Sequence, residues 1–195
     1  NRIVLSADFV EVKSKSSSVQ WIPLSSKTGG VPAPGPSNEQ TASMVLDADK
    51  NGLNDFIIAA GVQGPSVIWY RRGVSGWTRY VIDSALLDIE AGGVSLDVDG
   101  DGDLDLIFGS LFDDKIWWWE NPYPNYDPNI PWTRREIKNS GEQRHHDQLV
   151  GDFDGDQKPE LVFWNQGANK LFIAEIPTDP KNTQPWSYAE IFSWN

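Results

Sequence analysis

Three acidic segments of nine residues recur along the 195-residue chain and align with one another without gaps. They begin at Asp47, Asp97 and Asp152, 50 and 55 positions apart, and read DADKNGLND, DVDGDGDLD and DFDGDQKPE. A short apolar stretch precedes and follows each segment, which predicts two strands joined by an acidic hairpin loop. This repetition constrains the fold strongly, because each unit is expected to adopt the same local structure.

Two further strands are predicted after each hairpin. The first lies at residues 67–70, 115–119 and 170–173, and a tryptophan marks the start of the second, at Trp77, Trp132 and Trp186. Four strands in a unit of 50 to 55 residues is the period of a propeller blade. The sequence therefore predicts an all-β fold of β-propeller blades, each a four-stranded antiparallel sheet, at residues 40–83, 90–138 and 145–195.

The N-terminal segment predicts only part of a blade. Trp21 lies 56 residues before Trp77, so we expect residues 1–25 to form the outer strands of a preceding blade and residues 26–38 to form a connecting loop. The chain opens with Asn1 and no signal peptide, as a processed or excised piece would. About three and a half blades would leave a ring open, because propellers close with about four to eight. The missing blades are expected from a longer chain or from a second copy, giving a ring of about seven.

The acidic loops have the ligand spacing of a calcium site. Calcium takes six to eight oxygens, and the EF-hand loop supplies them at positions 1, 3, 5, 7 and 9. Position 7 would contribute the carbonyl oxygens of Leu53, Asp103 and Lys158. The expected side-chain ligands are Asp47, Asp49, Asn51 and Asp55 in the first loop, Asp97, Asp99, Asp101 and Asp105 in the second, and Asp152, Asp154, Asp156 and Glu160 in the third. An all-oxygen set on a flexible loop favours up to three Ca²⁺ ions over magnesium.

A metal-free interpretation is that Asp and Gly simply favour turns. Three loops in register, each with three to five carboxylates within nine residues, would repel strongly without a cation, which favours the metal sites. Position 6 is glycine in the first two loops, at Gly52 and Gly102, where a tight turn favours positive φ. It is Gln157 in the third loop, so we expect that site to bind more weakly or with altered geometry.

Composition excludes several classes of protein. The 28 acidic residues outnumber the 16 basic ones, which argues against binding to nucleic acid. No apolar run approaches the roughly eighteen residues that a membrane-spanning helix needs. The chain has no cysteine, so neither disulfides nor thiol chemistry are available to it.

A polar patch is predicted where the first two strands of the third unit meet. If the hairpin pairs about the centre of its loop, Asp147 lies opposite Asn165. Convergent polar groups beside an indole suit the hydroxyls and the apolar face of a sugar. The candidate ligand-binding residues are Glu90, His145, His146, Asp147, Gln148, Trp164, Asn165 and Gln166. His145 and His146 are the candidates for a general acid or base, and whether the chain is an enzyme stays open.

The repeated pattern strand–DxDxDGxxD–strand resembles the FG-GAP/VCBS repeats of integrin α-subunit propellers and of many secreted bacterial proteins. The resemblance covers residues 40–195 well and residues 1–25 poorly. It implies a propeller in which calcium has a structural role, in a secreted, cell-surface or periplasmic protein. Residues 145–148, 151–154 and 163–166 are also similar to blades of secreted propellers attached to sugar-processing enzymes, such as aldos-2-ulose dehydratase and polysaccharide lyases.

Carbohydrate recognition or processing is the function that these resemblances imply. The alternatives are an integrin-like adhesion scaffold that binds protein without catalysis, and blades that only position another domain. Adjacent histidines on a strand point to opposite faces, so at most one of His145 and His146 is expected to line a channel. Trp164 has a second interpretation, as a side chain that fills a gap between blades.

Overall fold

The computed structural model describes residues 22–194, which contain three four-stranded antiparallel sheets and a single 3-10 turn, Ser26–Thr28. The predicted all-β class is therefore confirmed, with blade-like sheets of four strands each. Most of the outer strands predicted at residues 1–25 lie outside the described residues, and residues 22–25 form no strand. Within residues 22–194, no helix has the length and apolar character needed to cross a membrane.

Strands follow the order of the chain within every sheet. The first sheet contains β1 (Asn38–Leu46), β2 (Asp55–Gln63), β3 (Val67–Gly73) and β4 (Gly76–Asp83). The second contains β5 (Val94–Leu96), β6 (Asp105–Gly109), β7 (Lys115–Glu120) and β8 (Thr133–Asn139). The third contains β9 (His145–Gly151), β10 (Glu160–Asn165), β11 (Lys170–Glu175) and β12 (Tyr188–Ser193). Each acidic segment joins the first and second strands of its sheet, as the repeat predicts.

The sheets pack face to face through two hydrophobic cores. The core between the first and second sheets contains Ile57 and Trp69 from one side and Phe108 and Trp119 from the other. A second core joins the second and third sheets and includes Trp118. Because side chains alternate between the two faces of a strand, the second sheet contributes to both cores and β6 is buried along its whole length.

The predicted register of the third hairpin is wrong by one to two residues. Asn165 pairs with His145 rather than with Asp147, and Trp164 pairs with His146. Asp147 is left without a partner in a β-bulge and has a φ of 52°. A bulge adds one residue to one strand only, which symmetry about the loop centre does not predict.

Candidate metal centres and the inner edges of the sheets

The first acid of each loop holds the loop in a tight turn. In the first loop, the carboxylate of Asp47 accepts hydrogen bonds from the backbone amides of Asn51, at 3.0 Å, and Gly52, at 2.8 Å. Asp97 accepts from the amides of Gly100 and Gly102, and Asp152 from those of Gly155 and Gln157, so the donor two residues before position 6 replaces the donor one residue before it. The hydrogen bond from the amide of position 6 to the first acid is common to all three loops, in keeping with their alignment without gaps.

Position 6 is left-handed in all three loops. Its φ is 83° at Gly52, 90° at Gly102 and 72° at Gln157. A side chain strains this conformation by roughly 1–2 kcal/mol. The third loop therefore adopts the shared turn despite Gln157, in a conformation that the glycines of the other loops reach without strain.

The loop acids converge in three clusters, each of which could hold a metal ion. In each cluster the candidate ligand atoms lie within 4.8 Å of one another. The clusters are Asp47, Asp49 and Asp55; Asp97, Asp99 and Asp101; and Asp152, Asp154, Asp156 and Glu160. Two acids of the second loop, Asp103 and Asp105, lie outside its cluster. In the first loop, the side-chain oxygen of Asn51 accepts a hydrogen bond from the amide of Leu53 at 2.8 Å.

The ninth residue of each loop is a buried acid that bridges the loop. The amide of Ala48 donates to Asp55 at 3.3 Å, and the amide of Phe153 donates to Glu160 at 2.7 Å. Asp105 accepts hydrogen bonds from the amides of Val98 and Asn121. Burial nevertheless raises the pKa of Asp105 to about 8. The second loop thus keeps an acid at a position where its negative charge is costly.

Asp103 is a second acid of the same loop whose pKa is raised. Burial, followed by repulsion from Asp101, raises its pKa to about 7. Ionised acids that raise one another's pKa in this way are stabilised by a nearby cation, because the attraction offsets both burial and repulsion.

Each loop contains a buried carboxylate oxygen that accepts no hydrogen bond from residues 22–194. These atoms are Oδ1 of Asp49, Oδ1 of Asp103 and Oε1 of Glu160. Buried polar atoms are nearly always paired, so the unpaired oxygens of Asp49 and Glu160, which belong to the first and third clusters, indicate a missing ligand. Carboxylate oxygens are ligands that calcium and magnesium prefer, and the three clusters fit such an ion.

Basic side chains neutralise part of the loop charge. Arg71 forms an ion pair with Asp49, and Lys158 lies 3.1 Å from Asp156. Lys181, in the segment between β11 and β12, lies 2.7 Å from Asp99 and 2.6 Å from Glu120 and so links that segment to the second loop. With Lys50, two cations meet three acids in the first loop, one cation meets five acids in the second, and one meets four in the third, so each loop keeps net negative charge.

The residues of the predicted sugar patch lie on different sides of the third sheet. Three of them are buried on the side that faces the second sheet: His145, Gln148 and Asn165. His146 and Trp164 are partly exposed on the opposite side, and Asp147 and Gln166 are exposed. The sheet therefore separates side chains that the sequence places next to one another.

His145 is enclosed rather than open to a ligand. Its Nε2 accepts a hydrogen bond of 3.2 Å from the ammonium of Lys138, which also donates to the carbonyl of Asp114 at 2.8 Å. Burial, followed by the charge of Lys138, lowers the pKa of His145 to about 3. Its ring is therefore neutral near pH 7 and has no direct access to solvent. The contact with Lys138 joins residues seven apart and has no signature in the sequence.

The exposed members of the patch lie at the start of the first strand of a sheet, at the end away from the acidic loop. We call this end the inner edge; it includes residues 90–93 in the second sheet and 145–147 in the third. The amide of Asp147 donates to the carbonyl of Ala91 at 3.0 Å, which places Asp147 beside Glu90. The side chain of His146 is hydrogen bonded to the carboxylate of Asp147 at 2.8 Å. The inner edges therefore present the imidazole of His146 beside the carboxylate of Asp147, next to the backbone segment that carries Glu90.

Trp164 packs edge-to-face against Trp194, with ring centroids 4.4 Å apart, on the side of the third sheet away from the second. The sequence pattern does not predict this contact, because Trp194 lies at the end of the last unit, where the sibling units offer no equivalent aromatic pair.

No family model matches the chain, and no curated protein matches it. The class of the protein therefore follows from its fold and its sites. Residues 22–194 form an all-β structure of three blade-like, four-stranded antiparallel sheets. Each sheet carries an acidic hairpin loop that could hold a metal ion.

Proposed function

We propose that the chain is a calcium-stabilised segment of a β-propeller built from FG-GAP/VCBS-type repeats, contributing about three and a half blades to a ring of about seven. The observation that carries the metal sites is the convergence of the loop acids in three clusters, two of which contain a buried carboxylate oxygen without a donor among residues 22–194, at Asp49 and Glu160. A cation among these oxygens replaces the lost hydrogen bonds and offsets the repulsion between the acids.

Calcium is favoured over other cations by the chemistry of the loops. The donors are carboxylates, one amide oxygen and backbone carbonyls, and the chain has no cysteine for a soft metal. Calcium accepts such flexible sets of six to eight oxygens, whereas magnesium demands near-ideal octahedral geometry. Its role is structural: it joins the first two strands of a sheet at their loop, and the loop residues hold it through the positions predicted above.

Calcium binding and thermal unfolding test this proposal together. Calcium should bind to the chelator-treated chain with saturation at up to three ions and should raise its melting temperature, with magnesium giving the smaller shift. Asp49→Asn should weaken binding to the first loop. Asp113→Asn, an exposed acid outside the acidic loops, is the matched control and should change neither quantity. A chain whose melting temperature is the same with calcium and with chelator would contradict the proposal.

The proposed ligand is a carbohydrate bound at the inner edges of the sheets, in a secreted, cell-surface or periplasmic protein. The supporting observations are the hydrogen bond between the side chains of His146 and Asp147 and the inter-sheet hydrogen bond from the amide of Asp147 to the carbonyl of Ala91, the residue after Glu90. Carboxylates and imidazole accept hydrogen bonds from sugar hydroxyls, and charge-assisted bonds of this kind are stronger than neutral ones. His146 is the histidine that a ligand can reach, and a catalytic role for it stays a hypothesis.

Glycan binding by the calcium-loaded chain tests this site. Asp147→Ala and His146→Ala should each lower affinity about tenfold, as expected when a bound polar group loses its partner. Asp127→Ala removes an exposed acid from the loop between β7 and β8 and should leave affinity unchanged. Equal affinity of all three variants for the glycan would contradict a binding site at the inner edges and would favour the adhesion scaffold.

A further inference from the structure

The third sheet has one face that no described residue of another sheet covers. We call this face, which includes Leu149, Phe153, Trp164 and Ile173, the open face. Leu149 is 62% exposed and Phe153 is 52% exposed. Large apolar side chains in a contiguous patch of this kind mark an interaction surface.

The repeat shows what the equivalent residues do in the other two sheets. Ala48 and Val98 occupy the same position as Phe153, directly after the first acid of the loop. Ala48 is buried in the core between the first and second sheets, and Val98 in the core between the second and third. Each of these positions thus packs toward the next sheet along the chain. Phe153 is the third copy, and it faces solvent.

A bulged isoleucine in the outermost strand repeats the same pattern. Ile82, Ile137 and Ile191 are each left unpaired by a register shift in β4, β8 and β12. The carbonyl of Ile82 accepts a hydrogen bond from the amide of Trp132 at 3.1 Å, and the carbonyl of Ile137 accepts one from Trp186 at 2.9 Å.

In both cases the donor is the tryptophan that precedes the fourth strand of the next sheet. Ile82 and Ile137 are fully buried, whereas Ile191 is 50% exposed. The third sheet therefore offers the acceptor for a third copy of this hydrogen bond, the carbonyl of Ile191. The donor would be the tryptophan that precedes the fourth strand of a further sheet.

The inner edges repeat a second hydrogen bond between sheets. The carbonyl of Ala60 accepts from the amide of Ile89 at 3.4 Å, and the carbonyl of Ser110 accepts from the amide of His145 at 3.0 Å. Both carbonyls lie thirteen residues after the first acid of their loop, and Asn165 holds that position in the third unit.

We infer that the open face is the docking surface for a fourth four-stranded sheet of the same repeat type. That sheet would donate a tryptophan amide to Ile191 and an inner-strand amide to Asn165, and it would cover Leu149 and Phe153 with large apolar side chains. Trp164, predicted as a sugar ligand, then belongs to sheet packing. The inference rests on the blade architecture proposed above, but not on calcium or on carbohydrate.

A second copy of the chain is the weaker occupant. Head-to-tail docking would place the open face against the outer side of the first sheet, where Ile68 and Tyr70 are already buried. On that side Arg79 also donates to the carbonyl of Pro34 at 2.9 Å, from the segment that precedes β1. A second copy would have to displace this cover to reach the whole face, of which Val45 is 70% exposed.

Thiol labelling tests the inference, because the chain has no cysteine of its own. Leu149→Cys reports on the open face, and Val74→Cys, at the fully exposed turn between β3 and β4, is the control. Each variant is made in the full chain and in an extended chain that repeats residues 140–194 after its C-terminus. The full chain should be a monomer in which both thiols react rapidly. In the extended chain, Leu149→Cys should react at least about tenfold more slowly and Val74→Cys should be unchanged.

Three results would overturn the inference. The first is equal labelling of Leu149→Cys in the two chains, including the case where the added repeat stays unfolded beside a native chain. The second is a protected Leu149→Cys thiol in the full chain alone, and the third is a dimer that protects it, which would assign the face to a second copy. Calcium binding is measured on the same variants so that the two proposals are tested separately. Absence of calcium binding together with a protected Leu149→Cys thiol would contradict only the metal sites.

Discussion

Gln157 adopts the left-handed conformation that glycine adopts at the same place in the other two loops. The repeat requires this conformation because the first acid of the loop, Asp152, accepts a hydrogen bond from the amide of Gln157 at 3.1 Å. A single residue thus carries strain that the hydrogen-bonding pattern of the whole loop imposes.

Replacing this residue by glycine should relieve the strain. Gln157→Gly should stabilise the chain by up to about 1 kcal/mol, since relief of roughly 1–2 kcal/mol is partly offset by the greater freedom of glycine in the unfolded chain. Calcium binding to the third loop should tighten. Urea unfolding and calcium titration measure the two effects. Gln143→Gly, at an exposed position without positive φ, should give no stabilisation.

The contact between Lys138 and His145 makes stability depend on pH. The folded chain lowers the pKa of His145 to about 3, against 6.5 for the free side chain, chiefly by burial. Between these values the unfolded state binds more protons than the folded state, so the contribution of His145 is present above pH 6.5 and is lost as pH falls toward 3.

His145→Gln should remove this dependence while keeping an acceptor for Lys138. We expect the stability of the parent chain relative to His145→Gln to decrease steadily from pH 7 to pH 4, measured as the free energy of unfolding in urea. The acids of the hairpin loops titrate in both proteins and cancel in the difference. A difference that stays constant over this range would show that His145 is protonated equally in the folded and unfolded states.

At the level of strands, the hairpin loops are coupled to the cores between the sheets. Trp69 and Trp118 lie at equivalent places in β3 and β7, and both are fully buried. The indole N–H of Trp69 donates to Asp55 at 2.9 Å, whereas no acceptor among residues 22–194 pairs with the indole N–H of Trp118. Comparing the two tryptophans therefore separates the effect of packing from the effect of the hydrogen bond at one position of the repeat.

Trp69→Phe should therefore cost more than Trp118→Phe. Both substitutions remove similar packing, but only the first takes a charged hydrogen bond from a buried acid, which is worth about 1.5–3 kcal/mol. We expect Trp69→Phe to be the more destabilising of the two by about that amount, and to weaken calcium binding to the first loop. Urea unfolding with and without calcium measures both. Equal losses in the two variants would place the coupling elsewhere.

The strands themselves are largely predictable, because alternation and acidic loops are local features of the chain. Trp77 lies within β4 as expected, while β8 and β12 begin one and two residues after Trp132 and Trp186. The bulge at Asp147 is not predictable in this way. It depends on the backbone contact of Asp147 with Ala91 in the neighbouring sheet, which is a tertiary interaction.

At the scale of the whole molecule, charge opposes compaction. The chain has a formal net charge of −12, and three Ca²⁺ ions would halve it to −6. Much of this charge lies in the three hairpin loops, where the acids already face one another. Removal of calcium should therefore destabilise every sheet through the same electrostatic repulsion.

Salt should stabilise the metal-free chain more than the calcium-loaded chain. An increase from about 0.05 M to about 0.5 M sodium chloride shortens the screening length and weakens repulsion between the loop acids. We expect the melting temperature with chelator to rise, and the difference from the calcium-loaded chain to shrink. Choline chloride at the same ionic strength controls for direct sodium binding. Parallel shifts in the two forms would contradict loop repulsion as the dominant effect.

The sequence by itself determined the number of repeats, the four strands of each unit and the acids of each loop, because these features depend on the spacing of residues along a short stretch of chain. Only the tertiary structure decided which members of the predicted patch face solvent. His145 and Asn165 are buried and Asp147 is exposed because a bulge and the packing of the second sheet set their directions. The orientation of these side chains depends on contacts with residues distant in sequence, which a periodic sequence pattern does not predict.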